Sequence, residues 1–401
     1  VTAPVPAAAL TRARIGTTAT FGLGGAVCAV WTVRIPALTD KLHLNPGQVG
    51  TAVLCTGLGA LISMQVARMV IGRVGSRRAL LVAGPGTAVL SAGLGMAPSY
   101  AWLLVAAAAF GLVFGVLDMG MNTQAAMLER VTGRHLMNGA HAGWSIGSVA
   151  GGGLGALSAY LGWSFTQAVL GMAALALPVA VVLAFTYLPD PPLAAAASAR
   201  HGRIPPVIYL IGAVTCASFL IEGAIANWSG LYLRNELGTR EALAALAYPS
   251  FEVAMIIGRT LGDGVRRRIG SRRMLVGAGI GVSLAFAVVV AAPSWWVALT
   301  GFFLAGLAVS TVVPLTFSIA GALDETGAGV AQAGAMGYGG MLIGPVGIGY
   351  LANATSVRTG LVVPLVLGAV VSVLGRLLPA GPAAGPPVEM APVPFGERLT
   401  G

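Results

Sequence analysis

Twelve separate apolar stretches run through this 401-residue chain, each near the roughly 20 residues that a helix needs to cross a bilayer. They cover 15–35, 47–67, 79–97, 101–124, 139–161, 164–188, 206–228, 242–263, 274–292, 295–319, 328–350 and 356–378. In lipid, backbone polar groups must be satisfied within the protein, so such stretches are helices. Composition agrees. Only 9% of residues are charged, against about 25% in soluble domains, and mean hydropathy is +0.85. A soluble enzyme and a disordered chain are both excluded. Glycine, at 58 residues, suits close helix packing in lipid. The expected fold is an all-α integral membrane protein with twelve transmembrane helices.

The net charge of +10 would point to nucleic acid in a soluble protein. No basic run here is interleaved with exposed aromatics, and cytoplasmic loops of membrane proteins collect Arg and Lys anyway. With the N-terminus inside, 17 positive residues fall in cytoplasmic segments. Five, Arg34, Lys41, Arg234, Arg240 and Arg358, fall on the opposite side, and Arg259 lies within a span. Both termini are therefore expected in the cytoplasm. Lys41 is the only lysine. The Arg bias, with abundant Ala and Gly, fits a GC-rich bacterial genome, so the expected location is a bacterial cytoplasmic (inner) membrane. Arg12 and Arg14 before an apolar run resemble a signal peptide, but no convincing small-residue cleavage site follows, and the run reads as a retained first span. Cys28, Cys55 and Cys216 lie in apolar runs with no Cys-x-x-Cys, and read as packing residues rather than a zinc or redox site. No cofactor or metal is expected.

The chain repeats. Arg73-Val-Gly-Ser-Arg-Arg-Ala-Leu matches Arg268-Ile-Gly-Ser-Arg-Arg-Met-Leu at an offset of 195 residues. Trp31 matches Trp228, and Gly147-Ser-Val-Ala-Gly151 matches Gly344-Pro-Val-Gly-Ile, both at an offset of 197. Near-constant offsets around a Pro-rich centre divide the chain into six-helix bundles at 1–188 and 206–378. A cytoplasmic linker at 189–205 joins them, and 379–401 reads as a disordered cytoplasmic tail.

These features resemble the major facilitator superfamily, whose loop motif after span 2 reads Gly-x-x-x-Asp-Arg-x-Gly-Arg-Arg. Arg73, Gly75, Arg77 and Arg78 match it, as do Arg268, Gly270, Arg272 and Arg273 in the second copy. The acid is replaced by Gly72 and Arg267. Asp263 lies one turn before the second copy. The resemblance implies that such an acid meets the positive end of a helix in the other half and latches one conformation. An interfacial Asp that neutralises nearby Arg is the alternative. Val116-Leu-Asp118-Met-Gly-Met-Asn122 and Asn138-Gly-Ala-His141-Ala-Gly-Trp144-Ser145-Ile-Gly147 are similar to stretches of bacterial fucose permease and its relatives, which are sugar–proton symporters. That likeness implies sugar and proton binding at Asp118. The second acid of those proteins falls on Val33 here, so half of the pair is missing.

Charged groups at mid-bilayer are costly and ask for a reason. Asp118 shares a helix face with Gly111, Gly115 and Asn122, which lets a neighbour or a substrate approach closely. Burial disfavours a charged carboxyl, so Asp118 is also a candidate to exchange protons. His141 begins span 5, with Ser145 near the depth of Asp118. Glu222 shares the face of Ser218 in span 7, with Trp228 nearby. Glu252 follows Pro249, a residue expected to bend span 8. Arg259 lies two turns beyond Glu252 and reads as structural. The candidates for proton coupling or solute binding are thus Asp118, Asn122, His141, Ser145, Glu222, Glu252 and Trp228.

The expected function is proton-coupled uptake of a sugar-like or other polar solute by alternating access, in a monomer whose partners are solute, protons and the lipid bilayer, with no nucleic acid. A proton-antiport exporter and a non-transporting receptor or scaffold are the alternatives. No metal cluster, activated nucleophile or phosphate loop marks the chain as an enzyme.

Overall fold

The computed structural model describes residues 6–132, 136–189, 205–323 and 328–378, and every regular element among them is helical. Spans 1 to 6 are Ala7–Val33, Pro46–Val74, Ser76–Gly95, Tyr100–Thr132, Met137–Tyr160 and Phe165–Ala184. Span 7 is Pro206–Leu231, span 8 Ala247–Ile269 and span 9 Ser271–Ala291. Span 10 is made of Trp295–Val309 and Val312–Leu323, span 11 is Ala328–Ala354 and span 12 is Val362–Leu377. Among the described residues, eleven helices are long and apolar enough to cross a membrane, and the 24-residue span 5 completes the twelve. Most of the expected linker and the whole tail lie outside the described residues, as does the side chain of Asp263.

Local chemistry fixes the helix ends. Asn45 and Ser164 open spans 2 and 6 as capping boxes with Gln48 and Gln167, which satisfies backbone N–H groups that have no helical partner. The two loop motifs fold alike. Gly75 (φ 86°, ψ 154°) ends span 2 and begins span 3, and Gly270 (φ 82°, ψ 158°) does the same between spans 8 and 9. Only glycine adopts that region freely, so the repeated glycine is a repeated turn.

Two features depart from expectation. A short helix, Ile35–Leu42, follows span 1 after Arg34. Pro249 does not bend span 8. The chain breaks earlier, after Glu241–Ala244, and Pro249 falls in the first turn of span 8, where its missing N–H costs no helical bond.

Each six-helix half has its own buried core. Within the first half, span 1 packs on span 5 and span 2 on span 4. Within the second, span 7 packs on span 11 and span 9 on span 12. The halves meet where span 2 packs on span 11 and span 5 on span 8. Ile35 and Val49 of the first half are buried inside the core cluster of the second.

Candidate functional site

The seam between the halves is not uniform along its length. One end carries the loops after spans 1, 3, 5, 7, 9 and 11, and there the halves are packed shut. A methyl group added at Gly50 of span 2 would lie 3.1 Å from the Pro345 carbonyl oxygen of span 11. The hydroxyls of Thr51 and Tyr350 are 3.4 Å apart. Arg234 pairs with Asp40 at 2.7 Å, and Arg34 with Glu241 at 3.1 Å. The other end carries the two loop motifs and most of the arginines. Toward it the seam becomes a cleft, where Asp118, Asn122 and Glu222 are half-buried while His141, Arg259 and Tyr338 are exposed.

Asp118 and Asn122 stand on the first-half wall, one helical turn apart on span 4. Asn122 Nδ2 donates to the Asp118 carbonyl at 2.9 Å and to its carboxylate at 3.2 Å. Across the cleft, the Tyr338 hydroxyl of span 11 lies beside the Asp118 carboxylate. Its ring stacks on Phe219 with centroids 5.9 Å apart. Ser145 and His141 continue the same wall on span 5, and the His141 ring lies edge-on to Phe21 at 5.0 Å.

The second-half wall carries the other acids. Ser218 Oγ donates to Glu222 at 3.3 Å, and the Tyr248 hydroxyl donates to Glu252 at 2.7 Å. Arg259 Nη1 crosses the cleft and donates to Ser145 Oγ at 3.3 Å. Its charge acts on Glu222, Glu252 and His141 together. Arg259, which the sequence reads as structural, thus lies at the cleft. Among the described residues, none of the three cleft carboxylates has a charged partner within ion-pair distance.

The structure brings Asp118, Asn122, His141, Ser145, Glu222 and Glu252 to one cleft. Trp228 does not join them. It is fully buried in the closed part of the seam, against Gly349 of span 11. Gly111 and Gly115 do not face the cleft either. They receive the backbone of span 2 at Thr56 and Ala60, so that glycine stripe serves helix packing. Sequence reasoning missed Tyr248 and Tyr338. The signal available was a hydroxyl placed within an apolar span.

At the motif end, Arg73, Arg78, Arg268, Arg272 and Arg273 are exposed and Arg77 is half-buried. Arg272 donates to the Arg376 carbonyl. Glu129 at the end of span 4 accepts the backbone N–H groups of Leu136 and Met137 at 2.7 and 2.9 Å, placing a carboxylate at the start of span 5. Apart from the cleft, an apolar groove of about 210 Å³ between spans 1, 5 and 6 is lined by Leu157, Ser158, Trp163 and Met172.

A family model described as Major Facilitator Superfamily matches residues 17–324 and 210–398. An uncharacterised transporter of Sinorhizobium fredii is 31% identical over 370 residues, covering 90% of this chain and 97% of that protein. Among solved structures, a bacterial homologue of the human lysosomal transporter Spinster, inward-facing and unoccupied, superposes with a TM-score of 0.76 at 13% identity, covering 93% of this chain and 97% of that one. A D-xylose–proton symporter gives 0.75 at 15% identity, with 92% and 98% covered. At those identities the likeness to the two structures is one of fold.

Proposed function

The chain belongs to the major facilitator superfamily and is a multi-pass membrane transporter, and from that premise we propose that it takes up a small polar solute by proton-coupled alternating access. The bundles at 1–188 and 206–378 rock about the cleft. The 17-to-5 split of positive charge makes the arginine-rich end cytoplasmic. On that orientation the seam is closed toward the outside and the cleft faces inward.

The observation that carries this reading is the pair of facing walls: Asp118 with Asn122 on one half, Glu222 and Glu252 with Arg259 on the other. A solute that touches both walls changes the relative stability of the two states, which alternating access requires. Asp118 exchanges the coupling proton, and its carboxylate accepts hydrogen bonds from solute hydroxyl or amine groups. Hydroxyl groups on both walls and the Asn122 amide on the first fit a sugar-like or other polar molecule.

The test is uptake and efflux of a panel of sugars, polyols, nucleosides and hydrophobic amines in vesicles with an imposed pH gradient. Inward accumulation of a polar solute under an inward proton gradient supports the reading. Outward movement of an amine against that gradient makes the protein an exporter. If no panel member moves, the polar-solute reading falls.

A further inference from the structure

Both ion pairs found among the described residues join one half to the other, and both lie at the closed end. Their polarity is crossed. The first half supplies Arg34 and Asp40, and the second supplies Glu241 and Arg234. The four form a network, since Glu241 is acted on by Arg34, Arg234 and Asp40 together.

The two pairs differ in burial. Asp40 and Arg234 keep 58% and 32% of their side chains exposed, and solvent-exposed pairs contribute little. Arg34 is 1% exposed and Glu241 20%. Arg34 Nη1 donates to Ser158 Oγ at 3.1 Å and Nη2 to the Trp163 carbonyl at 2.5 Å. These fix the guanidinium to the first half. Its remaining nitrogen, Nε, faces the carboxylate of the second half. Burial pulls the guanidinium below its ordinary range, and Glu241 opposes that shift. Opening this end would take Glu241 away while Ser158 and Trp163 kept the cation in place.

We propose that Arg34 sets the balance between the two states, as a lock anchored in the first half that holds the second half shut through Glu241. This role rests on the alternating-access reading above. The lock is a positioning device and takes no part in the solute cleft. Removing one partner leaves a buried charge unpaired, which costs more than removing both. Glu241→Gln alone should therefore open this end more than Arg34→Gln and Glu241→Gln together.

The reporter is Val49→Cys, with Cys28, Cys55 and Cys216 replaced by Ala. Val49 is 1% exposed between the halves at the closed end, so a thiol there reacts only when that end opens. The reagent is a membrane-impermeant methanethiosulfonate added to right-side-out vesicles. Ala305→Cys, fully buried within the second half, is the control for general loosening. Glu241→Gln should raise the Val49→Cys rate by about tenfold or more, the double variant should raise it less, and Ala305→Cys should stay unreactive. Asp40→Asn should change the rate by less than about fivefold. An unchanged Val49→Cys rate in Glu241→Gln and Arg34→Gln overturns the lock. So does a parallel rise at Ala305→Cys, which makes Arg34 a residue of general stability. A raised Val49→Cys rate in a protein that moves no solute leaves the lock standing and removes the transport reading.

Discussion

Arg259 of span 8 donates a hydrogen bond to Ser145 of span 5 at 3.3 Å, joining the halves across the cleft. The bond is long and Arg259 is exposed, so it holds this arrangement only weakly. Losing it through Ser145→Ala should disfavour the state whose cleft opens toward the arginine-rich end by about 1 kcal/mol, or roughly fivefold. Spin labels at Val131 and Val265, both exposed at that end, report the change as a smaller long-distance population. Arg259→Lys keeps the charge but loses the planar fork and should give a smaller shift.

Glu129→Gln tests the carboxylate at the start of span 5. The amide retains an oxygen for Leu136 and Met137 but loses the charge that complements the helix end. A loss of about 0.5–2 kcal/mol is expected, read as a lower midpoint of thermal unfolding in detergent. Solute affinity should be unchanged, because Glu129 lies outside the cleft.

The fold was legible because its determinants are local. Apolar length marks the spans, and the motif at Arg73–Arg78 recurs 195 residues later as the same glycine turn at Gly75 and Gly270. The pairing of Asp118 with Asn122 was legible for the same reason, since residues four apart share a helix face. Arg34 with Glu241 and Arg259 with Ser145 were not. Those partners are separated by more than a hundred residues, and no period in a single sequence records which helices face each other. Gly111 and Gly115 misled in the same way, because a small-residue stripe invites close approach without saying whether helix or solute arrives.

Gly75→Ala and Gly270→Ala should be equally harmful. Each forces a side chain into a backbone region that costs about 1–3 kcal/mol. The fraction of monodisperse protein after heating should fall in both variants. Gly139→Ala, where an added methyl group meets nothing within 4 Å, should behave like the parent.

Orientation is checked by cysteine labelling in intact cells. Asn235→Cys, exposed at the closed end, should react with an impermeant reagent from outside, and Val131→Cys should be protected. The reverse pattern would invert the cytoplasmic assignment and make the cleft outward-facing.

The most direct measurement is pH-driven accumulation by Asp118→Asn, made beside equilibrium exchange of the same solute. A gradient of one pH unit drives one-to-one proton symport to about tenfold accumulation. Asp118→Asn keeps the size and hydrogen bonding of the carboxyl but cannot titrate. Its accumulation ratio should fall to about one, with exchange partly retained, while Glu222→Gln still accumulates. If Asp118→Asn concentrates solute and responds to a pH jump as the parent does, Asp118 is not the coupling group.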